Sequence, residues 1–310
     1  MRVLVTGGAG FIGSHVTRVL LAEGHAVTVL DNLSNGRREL VPPGAAFIKG
    51  DLKQEAKLDG WVAGNEVVIH LAALVPVAVS VEKPVAFAEN NVVNTVRLLE
   101  AMRRTGARQI IFSSSATVYG LPKSLPLKED DPVQVQSNPY GASKVAAEAF
   151  IAVYNRLHGL DATIFRYFNP YGPNELCEPE THLVPNIVRS ALRGDPIPLY
   201  WRGEQVRDFI YVEDLAKAHA AVLGLPGLNY FNVGSETGTS VNEVLRLVEE
   251  IIGKPLILDQ RGERAGDVPA SYATSARLRA STGWQASVDL REGLRRTVDF
   301  FRDAESRQPE

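Results

Sequence analysis

Tyr140 and Lys144 stand four residues apart in Tyr140-Gly-Ala-Ser-Lys144, a spacing that places both on one face of a helix. A phenol titrates near ~10 and is a weak base at neutral pH, but a nearby ammonium favours the phenolate and lowers that value. Such a pair suits proton transfer at a hydroxyl. Tyr-x-x-x-Lys alone is common on helix surfaces; here it follows Ser113-Ser114-Ser115 at the end of an apolar run, and a glycine-rich turn near the start of the chain. That turn, Gly7-Gly8-Ala9-Gly10-Phe11-Ile12-Gly13, links the apolar run 3–6 to a helical segment. Glycines there permit a tight turn and let backbone N–H groups and a helix N-terminus approach a pyrophosphate. The next apolar run ends in Asp31, 18 residues after Gly13. A carboxylate at that point accepts from a ribose 2′-hydroxyl and repels a 2′-phosphate, so NAD is favoured over NADP, with Arg37 and Arg38 leaving the second open.

These residues need a scaffold, and the hydrophobic pattern supplies one. Strand-length apolar runs at 2–6, 26–30, 46–49, 66–70, 109–113 and 162–167 alternate with helix-period segments at 11–23, 84–105 and 140–158. This is the pattern of βαβ units around a parallel sheet, and runs such as VLV, VVI and IIF suit strands covered on both faces. Between 51 and 66 the spacing predicts a helical turn or two and nothing functional. After Tyr171, Pro173, Pro179, Pro185, Pro196 and Pro198 punctuate shorter elements, with helices expected at 183–193, 212–223, 241–252 and 290–301 and a frayed tail over 302–310. The expected architecture is α/β: a Rossmann-type doubly wound parallel sheet over 1–170 and a smaller α/β substrate-binding domain over 171–310, some segments of which return to the first.

Composition narrows the function. In 310 residues, 45% hydrophobic and 22% charged with a net charge of −3, there is no collagen-like, coiled-coil or disordered signature and no Lys/Arg block to serve a nucleic acid. Cys177, in a proline-flanked loop, is the lone cysteine and reads as inert, which excludes a disulfide framework and a cysteine-based metal site. His15, His25, His70, His158, His182 and His219 show no HxxxH spacing and no carboxylate loop suits a hard cation, so no metal is expected. Trp61, Trp201 and Trp284 read as packing residues, and His182 as a loop histidine. With no apolar run near ~20 residues and no charged leader, neither a membrane span nor a signal peptide is expected, which makes the reading cytoplasmic.

Beyond these patterns, TGGAGFIG at 6–13, DNLSNG at 31–36, HLAAL at 70–74, ENNVVNT at 89–95, SSSATVYG at 113–120, YGASK at 140–144, RYFNPYG at 166–172, VRDFIYVEDLA at 206–216 and RAGD at 264–267 follow one another in order. The chain thereby resembles the extended short-chain dehydrogenase/reductase family and, within it, the UDP-glucose 4-epimerases and their close relatives. The resemblance implies that Gly7, Gly10 and Gly13 form the pyrophosphate turn, that Asp31 and Asn32 meet the adenosine ribose, and that Asp51 and Leu52 meet the adenine. Ala72 and Asn91 would line the cofactor channel, Ser113 would lie near the nicotinamide and Lys144 on its ribose; Phe11, Ile12, Leu71, Ala73 and Tyr167 are further cofactor-binding positions on the same ground. Tyr140 would be the base and Ser115 would hydrogen-bond the reacting hydroxyl. Asn169, Leu183, Arg207, Arg264 and Asp267 would hold the UDP-sugar, two guanidinium groups matching a diphosphate. Without the resemblance, Arg207 beside Asp208 reads as a surface ion pair.

The implied reaction is NAD-dependent 4-epimerisation of a UDP-hexose through a transient 4-keto intermediate. Other reactions of the same scaffold remain as alternatives: 4,6-dehydration, 4-keto reduction, epimerisation of UDP-glucuronate, or NAD binding by a non-catalytic regulator. Ala116 and Thr117 stand where dehydratases carry an Asp-Glu pair, and neither can perform the acid/base step of water elimination. Ser271 is small where many hexose-specific epimerases carry a tyrosine, which resembles relatives that also accept N-acetylhexosamines, although Tyr272 is adjacent and could swing in. Val75 replaces a lysine found in some epimerases. The helices at 84–105 and 140–158 resemble the pair that forms a four-helix dimer interface in this family, which implies a homodimer.

Overall fold

Val3, Leu4 and Val5, and likewise Val67, Val68 and Ile69, are wholly excluded from solvent, so their strands have no polar face and sit in the middle of a sheet. In the computed structural model of the chain, which describes residues 1–134, 136–176, 182–263 and 268–306, the strands in chain order are β1 (Arg2–Thr6), β2 (Ala26–Asp31), β3 (Ala46–Lys49), β4 (Val67–His70), β5 (Gln109–Ser115), β6 (Asp161–Tyr167), β7 (Asn169–Tyr171), β8 (Ile197–Leu199), β9 (Val206–Tyr211), β10 (Leu228–Val233), β11 (Gly238–Ser240), β12 (Leu258–Gln260) and β13 (Ala270–Ser271). Seven of them form one parallel sheet in the order β10-β6-β5-β4-β1-β2-β3. The order reverses between β1 and β4, where Thr6 lies level with His70, and the crevice of an open α/β sheet opens at the carboxyl ends on either side of such a reversal.

The helices are α1 (Phe11–Ala22), α2 (Glu55–Val62), α3 (Val77–Glu82), α4 (Pro84–Phe87), α5 (Asn94–Thr105), α6 (Pro139–His158), α7 (Leu183–Arg193), α8 (Val212–Ala221), α9 (Val241–Ile252), α10 (Ala276–Thr282) and α11 (Leu290–Ser306). Strand alternation divides the sheet's apolar residues between two layers. Val3, Val5, Ile69, Ile111 and Phe165 pack on Val16 and Leu20 of α1 and Leu215, Ala216 and Ala218 of α8. Leu4, Val68, Ile110, Phe112 and Ile164 pack on Leu58 of α2, Leu98 and Met102 of α5, and Ala147 and Ile151 of α6. A third core gathers α7, α9 and α11 around Phe209 and Tyr211 of β9. β9 carries β11 antiparallel and β13 and β7 parallel, while β8 pairs with β12.

Several boundaries differ from the sequence expectation. The helix expected over 84–105 is interrupted: a π-helical segment at 88–93 separates α4 from α5, and α3 precedes them as an element of its own. A π turn inserts a residue that periodicity cannot register, and it rotates Asn91 into the core. β5 runs on to Ser115 rather than ending at Ser113, because Ser113–Ser115 pair in register with Phe165–Tyr167. The tail is helical through Ser306, since Phe301 is buried in the third core; 307–310 lie outside the described residues.

Candidate active site

The crevice between β1 and β4 is built without side chains. Gly7 has φ +73°, and a Cβ there would stand 2.7 Å from the Ala72 amide nitrogen, so only glycine lets the turn pack against 71–72. A Cβ at Gly13 would strike the Gly7 carbonyl and sit 2.6 Å from Gly8 Cα, which ties the first turn of α1 to the strand. Gly10 is less confined: a Cβ there would press on the Gly7 oxygen at 3.3 Å, a tight contact, but on nothing else within 4 Å, so the space beyond that one atom is clear. Gly10 is also the N-cap of α1, with no side-chain cap and no acid in the first turn, leaving N–H groups and the positive end of the helix facing that space. At the end of β2, Asp31 accepts from the Ala9 N–H at 3.0 Å and the Leu33 N–H at 2.8 Å; burial raises its pKa against these two bonds. Asn32 donates to Asp51 Oδ2 at 2.9 Å, and Leu52 is buried beside them. Arg38 stacks on Phe47, 4.6 Å from its ring centre, and Arg37 reaches the Leu176 carbonyl. An open glycine turn under an uncapped helix, followed by a carboxylate at the end of the next strand, fits the pyrophosphate and adenosine ribose of a dinucleotide.

Across the crevice, α6 starts at Asn138, whose Oδ1 accepts the Gly141 N–H at 2.8 Å, followed by Pro139 at the first helical position. The cap fixes where Tyr140 falls. Its ring meets Phe87 edge-on at 6.4 Å and its hydroxyl is hydrogen-bonded to Ser115. Lys144 donates to the Ser113 carbonyl at 2.7 Å, with Nζ 4.9 Å from the Phe112 ring centre and 5.9 Å from that of Tyr140. Burial lowers Lys144 to about 7, with Glu148 pulling the other way. Burial raises Tyr140, only partly offset by the bond to Ser115. This corrects the sequence expectation: the ammonium points to the strand rather than to the phenol oxygen, so the phenol is not depressed in the protein alone.

Asn91, expected on the channel wall, is instead consumed by the protein. Its Oδ1 accepts from the Leu74 N–H at 2.8 Å and from Asn90 at 3.1 Å, and its Nδ2 donates to the Leu74 carbonyl at 2.9 Å and to Ser143 Oγ at 3.0 Å. Ser143 in turn donates to the Tyr140 carbonyl at 2.7 Å. Asn91 thus braces the strand-end loop of Leu71, Ala72, Ala73 and Leu74 against the helix that carries Tyr140. Sequence reading missed the residues behind it. Thr95 donates to the Asn91 carbonyl (2.7 Å), so its oxygen must accept from His70 Nε2–H (3.0 Å); His70 Nδ1 then accepts from Thr6 (2.7 Å), whose oxygen receives the Ala72 N–H (3.4 Å). One tautomer satisfies the whole chain, and burial with the nearby Lys144 charge drops His70 to about 3. Tyr167 is a further correction: its hydroxyl donates to His219 Nε2 at 2.6 Å, because His219 Nδ1–H is used on the Leu215 carbonyl, so it faces α8.

The residues expected to hold the sugar nucleotide cluster partly on β9. Asn169 donates to the Asp208 carbonyl at 3.1 Å, and Ser271 lies level with Arg207. Arg207 and Asp208 do not pair as a surface couple. They point to opposite faces of β9: Arg207 Nη1 donates to the Val206 and Val268 carbonyls, while the fully buried Asp208 accepts from Ser235 N–H (2.6 Å) and Oγ (2.8 Å). Tyr272 packs against Gly238 and Val206, on the face opposite Ser271, so it is not poised to swing beside it. Leu183 opens α7 after His182, whose Nδ1 is 2.6 Å from the buried Glu175 rather than free in a loop. Arg264, Asp267 and Cys177 lie outside the described residues. Trp284 is buried and donates to the Asp214 carbonyl, and Trp201 has a left-handed backbone, φ +51°. Ala116 and Thr117 form a short 3-10 turn after β5, so no carboxylate stands there. Among the described residues no cluster of His, Cys, Asp or Glu could hold a metal ion, and no helix is long and apolar enough to cross a membrane.

The model of the NAD dependent epimerase/dehydratase family matches residues 3–234. The chain is 40% identical over 307 residues to a UDP-glucose 4-epimerase of Corynebacterium glutamicum, covering 94% of this chain and 93% of that one. It superposes on the UDP-glucose 4-epimerase of Thermus thermophilus in complex with NAD at TM-score 0.92 and 40% identity, over 98% of this chain and all (100%) of the other. It also superposes on the Thermotoga maritima UDP-glucose 4-epimerase with UDP-glucose at TM-score 0.94 and 35% identity, over 98% and 100% of the two chains.

Proposed function

The chain belongs to the NAD dependent epimerase/dehydratase family, and from that premise we propose that it inverts C4 of a UDP-hexose, with NAD held in the glycine crevice and recycled. The observation that carries this reading is the convergence of Tyr140, Ser115 and Lys144 at the carboxyl end of β5, joined to the glycine turn through Ser143, Asn91 and Leu74. NAD, when bound, supplies a hydride acceptor that returns what it takes. The protein's part is proton management and holding. Gly7, Gly10, Gly13, Phe11 and Ile12 cradle the pyrophosphate, Asp31, Asn32, Asp51 and Leu52 the adenosine, and the 71–73 loop with Ser113 and Lys144 the nicotinamide half. Tyr140 takes the proton of the 4-hydroxyl and returns it to the same oxygen once the keto sugar has turned its other face to the hydride donor, while Ser115, hydrogen-bonded to Tyr140, orients the oxygen. Asn169, Leu183, Arg207, Arg264 and Asp267 anchor the nucleotide, which leaves the keto sugar free to turn.

Ser271, with no bulk in register with Arg207, extends the substrate range to N-acetylhexosamines. We assign 1–170 to NAD and 171–310 to the nucleotide sugar, with α8 and β10 working as part of the first domain because they complete its helix layer and its sheet. A homodimer in the cytoplasm completes the reading: Val81 and Val85 are 63% and 68% exposed, and Phe150, Val153 and Leu157 on α6 are exposed as well. A cluster of that kind is an expected subunit surface.

The test is a panel of UDP-glucose, UDP-N-acetylglucosamine, UDP-glucuronate and their 4-epimers. Interconversion of 4-epimers without net reduction of NAD is expected for a hexose pair, and failure on every member overturns the reading. Tyr140→Phe should fold as the parent does and lose turnover by about 10²–10⁴-fold; an undiminished rate removes Tyr140 from its role.

A further inference from the structure

Glu148 follows Lys144 by four residues, as Lys144 follows Tyr140, so three polar side chains share the buried face of α6. Each meets one of three consecutive serines of β5. Tyr140 bonds the Ser115 hydroxyl, Lys144 donates to the Ser113 carbonyl, and the Ser114 hydroxyl donates to Glu148 Oε1. Arg166, level with Ser114 on β6, grips the same carboxylate twice: Nη2 to Oε2 at 2.8 Å and Nε to Oε1 at 3.2 Å. Its remaining Nη1 donates to the Tyr119 hydroxyl at 3.0 Å and the Glu129 carbonyl at 3.2 Å. Ser114, Glu148 and Arg166 are all buried.

A buried ion pair is seldom a better source of stability than apolar side chains of the same size. What this one supplies is a fixed point and a fixed charge. The titratable groups around Lys144 are Tyr140 and Glu148 on its own helix and His70 on β4, with Arg166 of β6 paired to Glu148 and Tyr167 of β6 turned away to α8. β5 offers only serine hydroxyls, a carbonyl and the Phe112 ring. Burial disfavours the charged forms of His70 and Tyr140, so the carboxylate that faces Lys144 is Glu148, paired with Arg166. We propose that Glu148 is a positioning residue: clamped by Arg166 and Ser114, it sets the height of α6 on β5 so that Tyr140 meets Ser115, and it holds the positive charge on Lys144 in a site closed to solvent. The consequence for turnover rests on the function read above; the effect on Lys144 does not.

The experiment is NMR titration of Lys144 in the full-length protein with isotope-labelled lysine, the resonance being assigned by its loss in Lys144→Met. Glu148→Gln should lower the Lys144 midpoint by about one unit, with kcat falling more than KM changes, and Glu148→Asp should restore the midpoint. If Glu148→Gln does not fold, Glu148→Met/Arg166→Met, which replaces the pair by apolar chains of similar length, should fold and lower the midpoint too. An unmoved Lys144 midpoint in the folded variants overturns the proposal. A lowered midpoint in a protein that turns over no UDP-sugar would uphold it and overturn the functional reading instead.

Discussion

Lowering the pH from 7.5 to 5.0 should cost the fold about 3 kcal/mol, through side chains whose protonation burial forbids. His70 is held at about 3 and His219 at about 4, against 6.5 for a free imidazole, in each case chiefly because burial removes the solvation of the charged ring. A folded pKa below the unfolded one means that the unfolded chain binds the proton first. Stability is therefore complete above 6.5 and drains as pH falls below it, by about 2 kcal/mol per histidine at pH 5.0. Lys144, lowered to about 7, has the same sign and adds somewhat less than ~1 kcal/mol over this interval. Asp208 opposes them: burial raises it from 3.8 to about 6, so the folded state gains about 1 kcal/mol as it takes up its proton. Among groups with a direction only, His15 adds to the loss, while His182 and Asp31 subtract from it. Urea unfolding at the two pH values measures the difference. The same measurement on His219→Gln, whose amide can still donate to Leu215 and accept from Tyr167, should reduce the loss to about 1 kcal/mol. A parent protein that loses less than ~1 kcal/mol, or a variant with the parent's slope, would refute the assignment of neutral buried imidazoles.

Two further outcomes test the crevice and its bracing. Gly10→Ala sets a methyl 3.3 Å from the Gly7 carbonyl, which has to give by a few tenths of an ångström, so it should cost about 1 kcal/mol and weaken NAD binding at least about tenfold, because the methyl also takes space the ligand needs; Gly13→Ala, driven into backbone at 2.6 Å and closer, should cost about 2–3 kcal/mol. Calorimetry of both variants with and without NAD separates the two effects. Thr95→Val keeps shape but removes the acceptor of His70 Nε2–H, which should cost about 2 kcal/mol and move the imidazole proton to Nδ1, a change visible in the ring's nitrogen shifts.

What could be read in the sequence is what depends on neighbours along the chain. The glycine turn, the strand before it and the helix after it are consecutive, and so are Tyr140 and Lys144 one helical turn apart. Pattern is therefore enough to place them, whereas the pairing of β10 beside β6 joins positions more than 60 residues apart and depends on no neighbour along the chain. The resemblance implies a channel-lining Asn91, but its partners Leu74 and Ser143 are 17 and 52 positions away, and the π turn that rotates it inward leaves no trace in a 3.6-residue period. Without the resemblance, which makes Arg207 a holder of the sugar nucleotide, adjacency alone would pair Arg207 with Asp208, although a strand turns neighbours to opposite faces.

The Ser114–Glu148–Arg166 cluster shows where legibility ends. Tyr140, Lys144 and Glu148 at one helical spacing could have been seen as a single buried polar stripe, and three serines at the end of β5 as its complement. The third member could not. Arg166 reaches Glu148 because β6 pairs with β5 so that residue 166 lies level with residue 114, and slipping that register by one position would turn the guanidinium to the α1–α8 layer. The register is fixed by the apolar alternation of Ile110, Phe112, Ala162 and Ile164 against α5 and α6, none of which carries chemistry. The charge that supports Lys144 is thus placed by the hydrophobic packing of β5 and β6 against α5 and α6, with the Phe112 ring itself 4.9 Å from Lys144 Nζ, so substitutions among those apolar residues should disturb Tyr140 and Lys144 as well as the sheet.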